Sequence, residues 1–76
     1  MPRITPVHWQ KLKCIFEKAG FVFERMEGDH MVFVKPGIYR PVIIPRYKSI
    51  DVDIIKANMR TAGMTRDEYF KYLSKC

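Results

Sequence analysis

The sequence predicts a single α+β domain in which helices from both ends of the chain pack against a three-stranded antiparallel sheet formed by its middle. Apolar residues recur at helical spacing near both termini, whereas the middle is rich in aromatic and β-branched residues and is divided by two turns. A length of 76 residues leaves room for only one hydrophobic core, so we expect one domain over residues 1–76.

The first helix is expected over about Pro6–Ala19. Thr5 can cap it, and Pro6 suits the first helical position because its missing amide hydrogen would have had no partner there. Gly20 can end the helix in a left-handed conformation. The helical spacing of four residues predicts one apolar face: Trp9, Leu12, Phe16 and Ala19.

Three short strands should follow, over Phe21–Met26, His30–Val34 and Tyr39–Ile44. The pairs Gly28-Asp29 and Pro36-Gly37 favour the turns between them. Because a proline at position 41 lacks an amide hydrogen, the third strand is expected to be an edge strand or to be interrupted. Both sheet faces carry apolar residues, so either the strand ends lie under loops or one face receives a partner protein.

Two further helices are expected after the sheet. The first should run over about Asp51–Ala62, with Ser49 or Asp51 as its cap and Gly63 closing it. Thr65 and Glu68 have the spacing of a capping box, which predicts a short last helix. The predicted order is therefore α-β-β-β-α-α.

The formal net charge of +6 points to a polyanionic partner, which could be nucleic acid, a membrane surface or an acidic protein. The segment between Met31 and Ile50 contains no carboxylate and four cations: Lys35, Arg40, Arg46 and Lys48. A solvated sheet edge kept soluble by charge would have the same composition. Charge alone therefore leaves nucleic-acid binding and simple solvation as alternatives.

Several function classes are excluded by what the sequence lacks. Cys14 and Cys76 form no metal-binding or redox motif, so we expect reduced thiols in a cytoplasmic protein. No apolar run is long enough for a membrane span, and the start has no signal-peptide core. The four glycines form no phosphate-binding loop, and His8 and His30 have no companions for a zinc site. We therefore expect no metal, no small-molecule cofactor and no membrane attachment.

One reaction needs little beyond the residues present. RNA carries its own nucleophile, the 2′-hydroxyl, so cleavage needs a base, an acid for the leaving 5′-oxygen, and cations that offset charge on the phosphate. A histidine can act as base or acid near neutral pH. His30, at the mouth of the second strand, is the candidate catalytic residue, and Gly28 and Asp29 support its turn. His8 lies in the first helical turn, where the helix dipole disfavours an imidazolium, and is interpreted as a bystander.

A set of short motifs resembles the HicA toxins of toxin–antitoxin modules. It covers most of the chain: Ala19-Gly20-Phe21, Arg25, Gly28-Asp29-His30, Val32-Phe33, Pro45-Arg46 and Ala62-Gly63-Met64-Thr65. The resemblance implies a fold like that of the double-stranded-RNA-binding domain and an mRNA-cleaving activity that stops translation. It also implies a catalytic histidine matching His30 and neutralisation by a HicB-like antitoxin that covers the site.

Single-stranded mRNA is the expected substrate, bound by five cations and one aromatic side chain: Arg25, Lys35, Arg40, Arg46, Tyr47 and Lys48. Two other functions stay open, a non-catalytic RNA-binding module of the same fold and a protein-interaction module whose apolar sheet face is its function. The residues also leave the leaving-group acid open. His30 could serve both steps in turn, or Tyr47 or a lysine could contribute.

Overall fold

The computed structural model describes residues 3–76 and has the predicted α+β architecture. Three helices and three strands follow one another in the order α1 (Trp9–Lys18), β1 (Val22–Glu27), β2 (His30–Val34), β3 (Val42–Pro45), α2 (Val52–Ala62) and α3 (Arg66–Leu73). The strands form one sheet in the order β1-β2-β3, and both neighbouring pairs are antiparallel. The order α-β-β-β-α-α confirms the predicted fold like that of the double-stranded-RNA-binding domain.

Helix α1 begins at Trp9, three residues later than predicted. The expected opening at Thr5 and Pro6 is wrong, because His8 is the residue that caps the helix. Its Nδ1 atom accepts a hydrogen bond of 3.1 Å from the backbone N–H of Gln10. A histidine that accepts at a helix N-terminus satisfies an amide group that would otherwise lack a partner.

A long-range backbone contact accounts for the late start of α1. Val7 forms an isolated antiparallel bridge with Ile50, and the N–H of Ile50 donates to the carbonyl of Val7 at 2.8 Å. This pairing holds the chain before α1 in an extended conformation. Because the two residues are far apart in sequence, the local pattern around Pro6 carried no sign of it.

The boundaries of two strands also differ from the prediction. β3 begins at Val42 instead of Tyr39, because Pro41 has no amide hydrogen to donate to a ladder. As predicted, β3 is an edge strand. β1 begins one residue late, since the N–H of Phe21 donates to the carbonyl of Phe16 at 3.0 Å and so belongs to the end of α1.

The predicted end of α2 and start of α3 are confirmed, whereas Asp51 stands at the N-cap of α2 without a side-chain capping hydrogen bond. Gly63 ends α2 with φ +67° and ψ 27°, which is the left-handed conformation that favours glycine. Thr65 and Glu68 form a complete capping box at the start of α3. The backbone N–H of Thr65 donates to the Glu68 carboxylate at 2.9 Å and lowers the pKa of that carboxyl group.

The core lies between the helices and one face of the sheet. α1 packs against α3, and both α1 and α2 contact β3. The buried apolar side chains of these elements form one cluster, which includes Leu12, Ile15, Phe16, Met31, Phe33, Val42, Ile44, Ile55, Met59 and Tyr69. Side chains alternate between the two faces of a strand, so His30, Val32 and Val34 of β2 point to the opposite face, which we call the open face.

The two edges of the sheet differ in how they are covered. At β3, the side-chain amide of Asn58 on α2 donates to the carbonyl of Ile43 at 2.8 Å, so a helix protects that edge. β1 is exposed along its whole length. Three large apolar side chains on it are 42–58% exposed: Val22, Phe23 and Met26.

Cys14 and Cys76 form a disulfide, so the expectation of reduced thiols is wrong. The packing of α3 against α1 brings the two Cα atoms within 6.1 Å although the residues are 62 positions apart. The ammonium group of Lys11 also donates to the carbonyl of Cys76 at 3.4 Å. Local spacing of cysteines cannot reveal a cross-link that depends on the packing of the first helix against the last.

Replacing Cys14 by serine should lower the free energy of unfolding of the oxidised protein by about 2–4 kcal/mol, because the cross-link restricts the unfolded chain over a long loop. Guanidinium unfolding with and without a thiol reductant measures the effect. The reductant should destabilise the wild type by a similar amount and leave Cys14→Ser unchanged. A wild type with the same stability in both conditions would contradict the cross-link.

Candidate functional site

The candidate site is centred on His30, the first residue of β2, whose side chain is exposed. It follows a two-residue turn of Gly28 and Asp29, since Glu27 and His30 are paired across the hairpin. Gly28 has a φ of +59°, while Asp29 has a negative φ. This is the φ pattern of a type II′ turn, in which glycine is favoured at the first central position. The turn therefore fixes where the imidazole enters the sheet.

Three polar side chains share the open face beside this turn. Residues paired across antiparallel strands point to the same face, with Cβ atoms about 4.5–5.5 Å apart. Glu27 is paired with His30, and Arg25 is paired with Val32. The Nε atom of Arg25 lies 3.1 Å from Oε1 of Glu27. Arg25 and Glu27 on β1 and His30 on β2 therefore lie on the same face, and we call them the open-face cluster.

A β-bulge places Arg25 in this cluster. The register between β1 and β2 shifts between Phe23 and Arg25, so Glu24 is the extra residue. Phe23 then pairs with Phe33, and their rings meet edge to face with centroids 5.8 Å apart. Without the extra residue, Phe23 and Arg25 would point to the same face. The bulge directs the phenyl ring to the core side and the guanidinium to the open face.

The segment that follows β3 contacts His30 from the side opposite to Glu27. Pro45 is the partner of His30 on β3, and the N–H of Arg46 donates to the carbonyl of Asp29 at 2.9 Å. The ring of Tyr47 meets the imidazole of His30 edge to face, with centroids 6.2 Å apart and an interplanar angle of 72°. His30 is thus flanked by Tyr47 on one side and by Glu27 on the other.

Arg46 lies against the start of α1. Its guanidinium carbon is 4.8 Å from the centroid of the Trp9 indole, a cation–π distance. The N–H of Trp9 also donates to the carbonyl of Tyr47 at 3.2 Å. The first turn of α1, with its positive dipole end, therefore borders the loop that carries Arg46, Tyr47 and Lys48.

The remaining predicted contact residues lie elsewhere. Lys35 follows β2 at the end opposite His30, about 15 Å along the strand. Its ammonium group donates to the carbonyl of Ala19 at 2.8 Å and lies 5.8 Å from the Phe21 ring centroid. Arg40 is exposed in the loop between β2 and β3, also at that far end. The structure thus brings Arg46 and Tyr47 beside His30, with Lys48 in the same loop, and leaves Lys35 and Arg40 apart from them.

The charge of Arg25 is shared with two carboxylates. It forms ion pairs with Glu24 and with Glu27, and its side chain is about half exposed. The hydrogen bond and the charge of Glu27 are the largest causes of a raised pKa for the Arg25 guanidinium. Arg25 is therefore a bound partner of these acids and does not present an uncompensated charge to a phosphate.

Sequence reasoning missed two residues of this site, Glu27 and Trp9. The two-residue turn was itself a usable signal for Glu27, because the residue before such a turn lies opposite the residue after it. Trp9 gave no comparable signal, since its helical spacing is that of a core residue.

The site combines an imidazole, a carboxylate, exposed cations and an aromatic ring at one end of a sheet. These groups can accept and donate protons and can bind an anion. Among residues 3–76, no group of three or more His, Cys, Asp or Glu side chains could hold a metal ion. The same residues include no helix long and apolar enough to cross a membrane.

The chain matches the model of a known protein family. The model of a family described as the HicA toxin of bacterial toxin-antitoxin matches residues 9–64 of the 76-residue chain. The matched segment runs from the start of α1 to just beyond α2, and so includes the whole sheet, the turn before His30 and the loop of Arg46 and Tyr47. A search of curated proteins finds no match.

Proposed function

The chain belongs to the HicA toxin family, and from this premise we propose that it is a metal-independent endoribonuclease that cleaves mRNA and so stops translation. Membership of the family makes it a toxin of a toxin–antitoxin module and implies an antitoxin partner. The observation that carries the proposal is the exposed imidazole of His30, held at the end of the central strand by a tight turn.

The chemistry of the proposed reaction follows from the substrate. The 2′-oxygen of a ribose attacks the adjacent phosphorus, the bond from phosphorus to the 5′-oxygen breaks, and a 2′,3′-cyclic phosphate and a 5′-hydroxyl result. His30 transfers a proton at one of these two oxygens. Because RNA supplies the nucleophile, neither a metal-bound hydroxide nor a covalent enzyme intermediate is required.

The cations of the loop after β3 are the proposed phosphate contacts. Arg46 and Lys48 would offset the charge that builds up on the phosphoryl oxygens. Tyr47, which already contacts the imidazole, offers a ring on which an RNA base can stack. Lys35 and Arg40 lie too far along the sheet to touch the same phosphate, so we assign them at most a long-range electrostatic role.

The antitoxin is proposed to be HicB-like and to cover the site. The exposed strand β1 supports this, because it carries Arg25 and Glu27 of the open-face cluster and leaves three large apolar side chains exposed to solvent. The toxin is proposed to act in the cytoplasm, where its mRNA substrate is found and where the Cys14–Cys76 pair would meet a reducing environment.

Cleavage of single-stranded RNA in excess chelator is the direct test. Wild type should yield fragments ending in 2′,3′-cyclic phosphate, and His30→Ala should lower the rate by at least about 10²-fold because it removes a proton-transfer group. His8→Asn is the matched control, since it removes the other histidine but keeps an acceptor at the helix cap. This control should cleave like wild type.

Three outcomes would contradict the proposal. Full activity in His30→Ala would remove the histidine from the mechanism, and loss of wild-type activity in chelator would require a metal. RNA binding without cleavage by any of the three proteins would identify a non-catalytic RNA-binding module.

Salt-dependent binding tests which cations contact RNA. In a His30→Ala background, Arg46→Gln should weaken binding of a labelled single-stranded RNA and reduce the slope of log affinity against log salt by about 0.7, the value for one lost phosphate contact. Arg40→Gln removes the same charge at the far end of the sheet and should leave the slope unchanged. Equal effects of the two substitutions in fluorescence anisotropy would contradict a binding surface centred on His30.

A further inference from the structure

Cleavage of RNA by the proposed route requires two proton transfers at the same phosphate. One group must take the proton of the 2′-hydroxyl while another gives a proton to the leaving 5′-oxygen. A single imidazole cannot do both within one transition state. His30 therefore needs a second titratable group within reach of the same phosphodiester.

Three titratable side chains adjoin His30, and geometry and chemistry separate them. Asp29 precedes it directly but belongs to the turn, outside the strand pairing that places a side chain on the open face. Tyr47 touches the imidazole, but a phenol keeps its proton at neutral pH and so cannot serve as the base. Glu27 is the strand partner of His30 and points to the same open face.

The surroundings of Glu27 suit a base. Its Oε1 atom accepts a hydrogen bond of 3.1 Å from Nε of Arg25, and this charge-assisted bond holds the carboxylate in place. That bond engages Oε1, and Oε2 is the second acceptor oxygen of the carboxylate. The side chain is 59% exposed, so a phosphodiester can approach the carboxylate from solvent.

We propose that Glu27 is a second catalytic residue, the general base that activates the 2′-hydroxyl, and that His30 is the general acid for the leaving 5′-oxygen. This assignment rests on the proposed ribonuclease function. Arg25 is a positioning residue, because its Nε atom donates to Oε1 of Glu27 and holds the carboxylate.

The proposed step balances in atoms and protons. Glu27 takes the proton of the 2′-hydroxyl, the 2′-oxygen forms a bond to phosphorus, and the bond from phosphorus to the 5′-oxygen breaks. The imidazolium of His30 gives its proton to that oxygen. Glu27 ends protonated and His30 ends neutral. Glu27 then gives a proton to water and His30 takes one from water, which restores both groups. Hydrolysis of the cyclic phosphate would use the same two groups in the opposite roles.

A pair of matched variants tests the base. Glu27→Gln keeps an oxygen that Arg25 can bind but cannot take a proton, so the cleavage rate should fall by about 10²–10³-fold. Its pH profile should lose the decline at acid pH that protonation of the base causes, and keep the decline at alkaline pH. Glu24→Gln removes the same charge from the other partner of Arg25 and should stay within about two-fold of wild type. Melting temperatures confirm that both variants fold.

A modified substrate separates the base from the acid. The linkage that wild type cleaves is first mapped, and sulfur then replaces its bridging 5′-oxygen, because a thiolate leaves without a proton donor. His30→Ala should recover most of its lost rate on this substrate, whereas Glu27→Gln should not. Recovery in Glu27→Gln alone would assign the base to His30 and overturn the proposal.

The ribonuclease function and the role of Glu27 can be overturned separately. If wild type does not cleave RNA, both the ribonuclease function and the role of Glu27 are overturned. If wild type cleaves and Glu27→Gln keeps its rate and its acid decline, only the role of Glu27 is overturned.

Discussion

The pairing of β1 with β2 is the constraint on which the site depends. A two-residue turn leaves one register for the strands that it joins, and a slip of one residue would move every side chain of β1 to the other face. In the observed register, Glu27 stands opposite His30 on the open face, while Met31 and Phe33 enter the core. The burial of those two side chains holds the register, so the packing of the core determines which groups surround the imidazole.

The bulge at Glu24 lets one strand place an aromatic side chain on the core side and a charged side chain on the open face. A regular strand would give Phe23 and Arg25 one common face, yet the phenyl ring contacts Phe33 and the guanidinium contacts Glu27. One extra residue satisfies both contacts. It also makes the exposed edge irregular and leaves charges on it, and both features discourage pairing with a second copy of the chain. Such bulges are frequent next to active sites, where they change the direction of one side chain.

Local signals in the sequence predicted most of the fold. The glycine at the end of α2, the capping box of α3 and the turn before His30 all depend on residues within four positions of one another. The predictions that were wrong concern features that depend on residues far apart in the sequence. The start of α1 depends on the bridge from Val7 to Ile50, and the disulfide depends on the packing of the first helix against the last. Neither contact leaves a trace in the spacing of neighbouring residues.

The candidate site likewise contains residues that a local motif predicts and residues that only folding brings into place. This difference changes how the net charge is interpreted. His30 and its turn form one contiguous motif that the sequence shows directly. The sequence pattern does not separate the cations of the carboxylate-free segment from one another. Folding sends Lys35 to the end of α1 and keeps Arg46 beside Trp9. Arg25 is held by two acids. A chain with a formal charge of +6 thus places a carboxylate next to its histidine, and Arg25 compensates the charge of that carboxylate. Removal of a proton from the 2′-hydroxyl is the role that we propose for this acid.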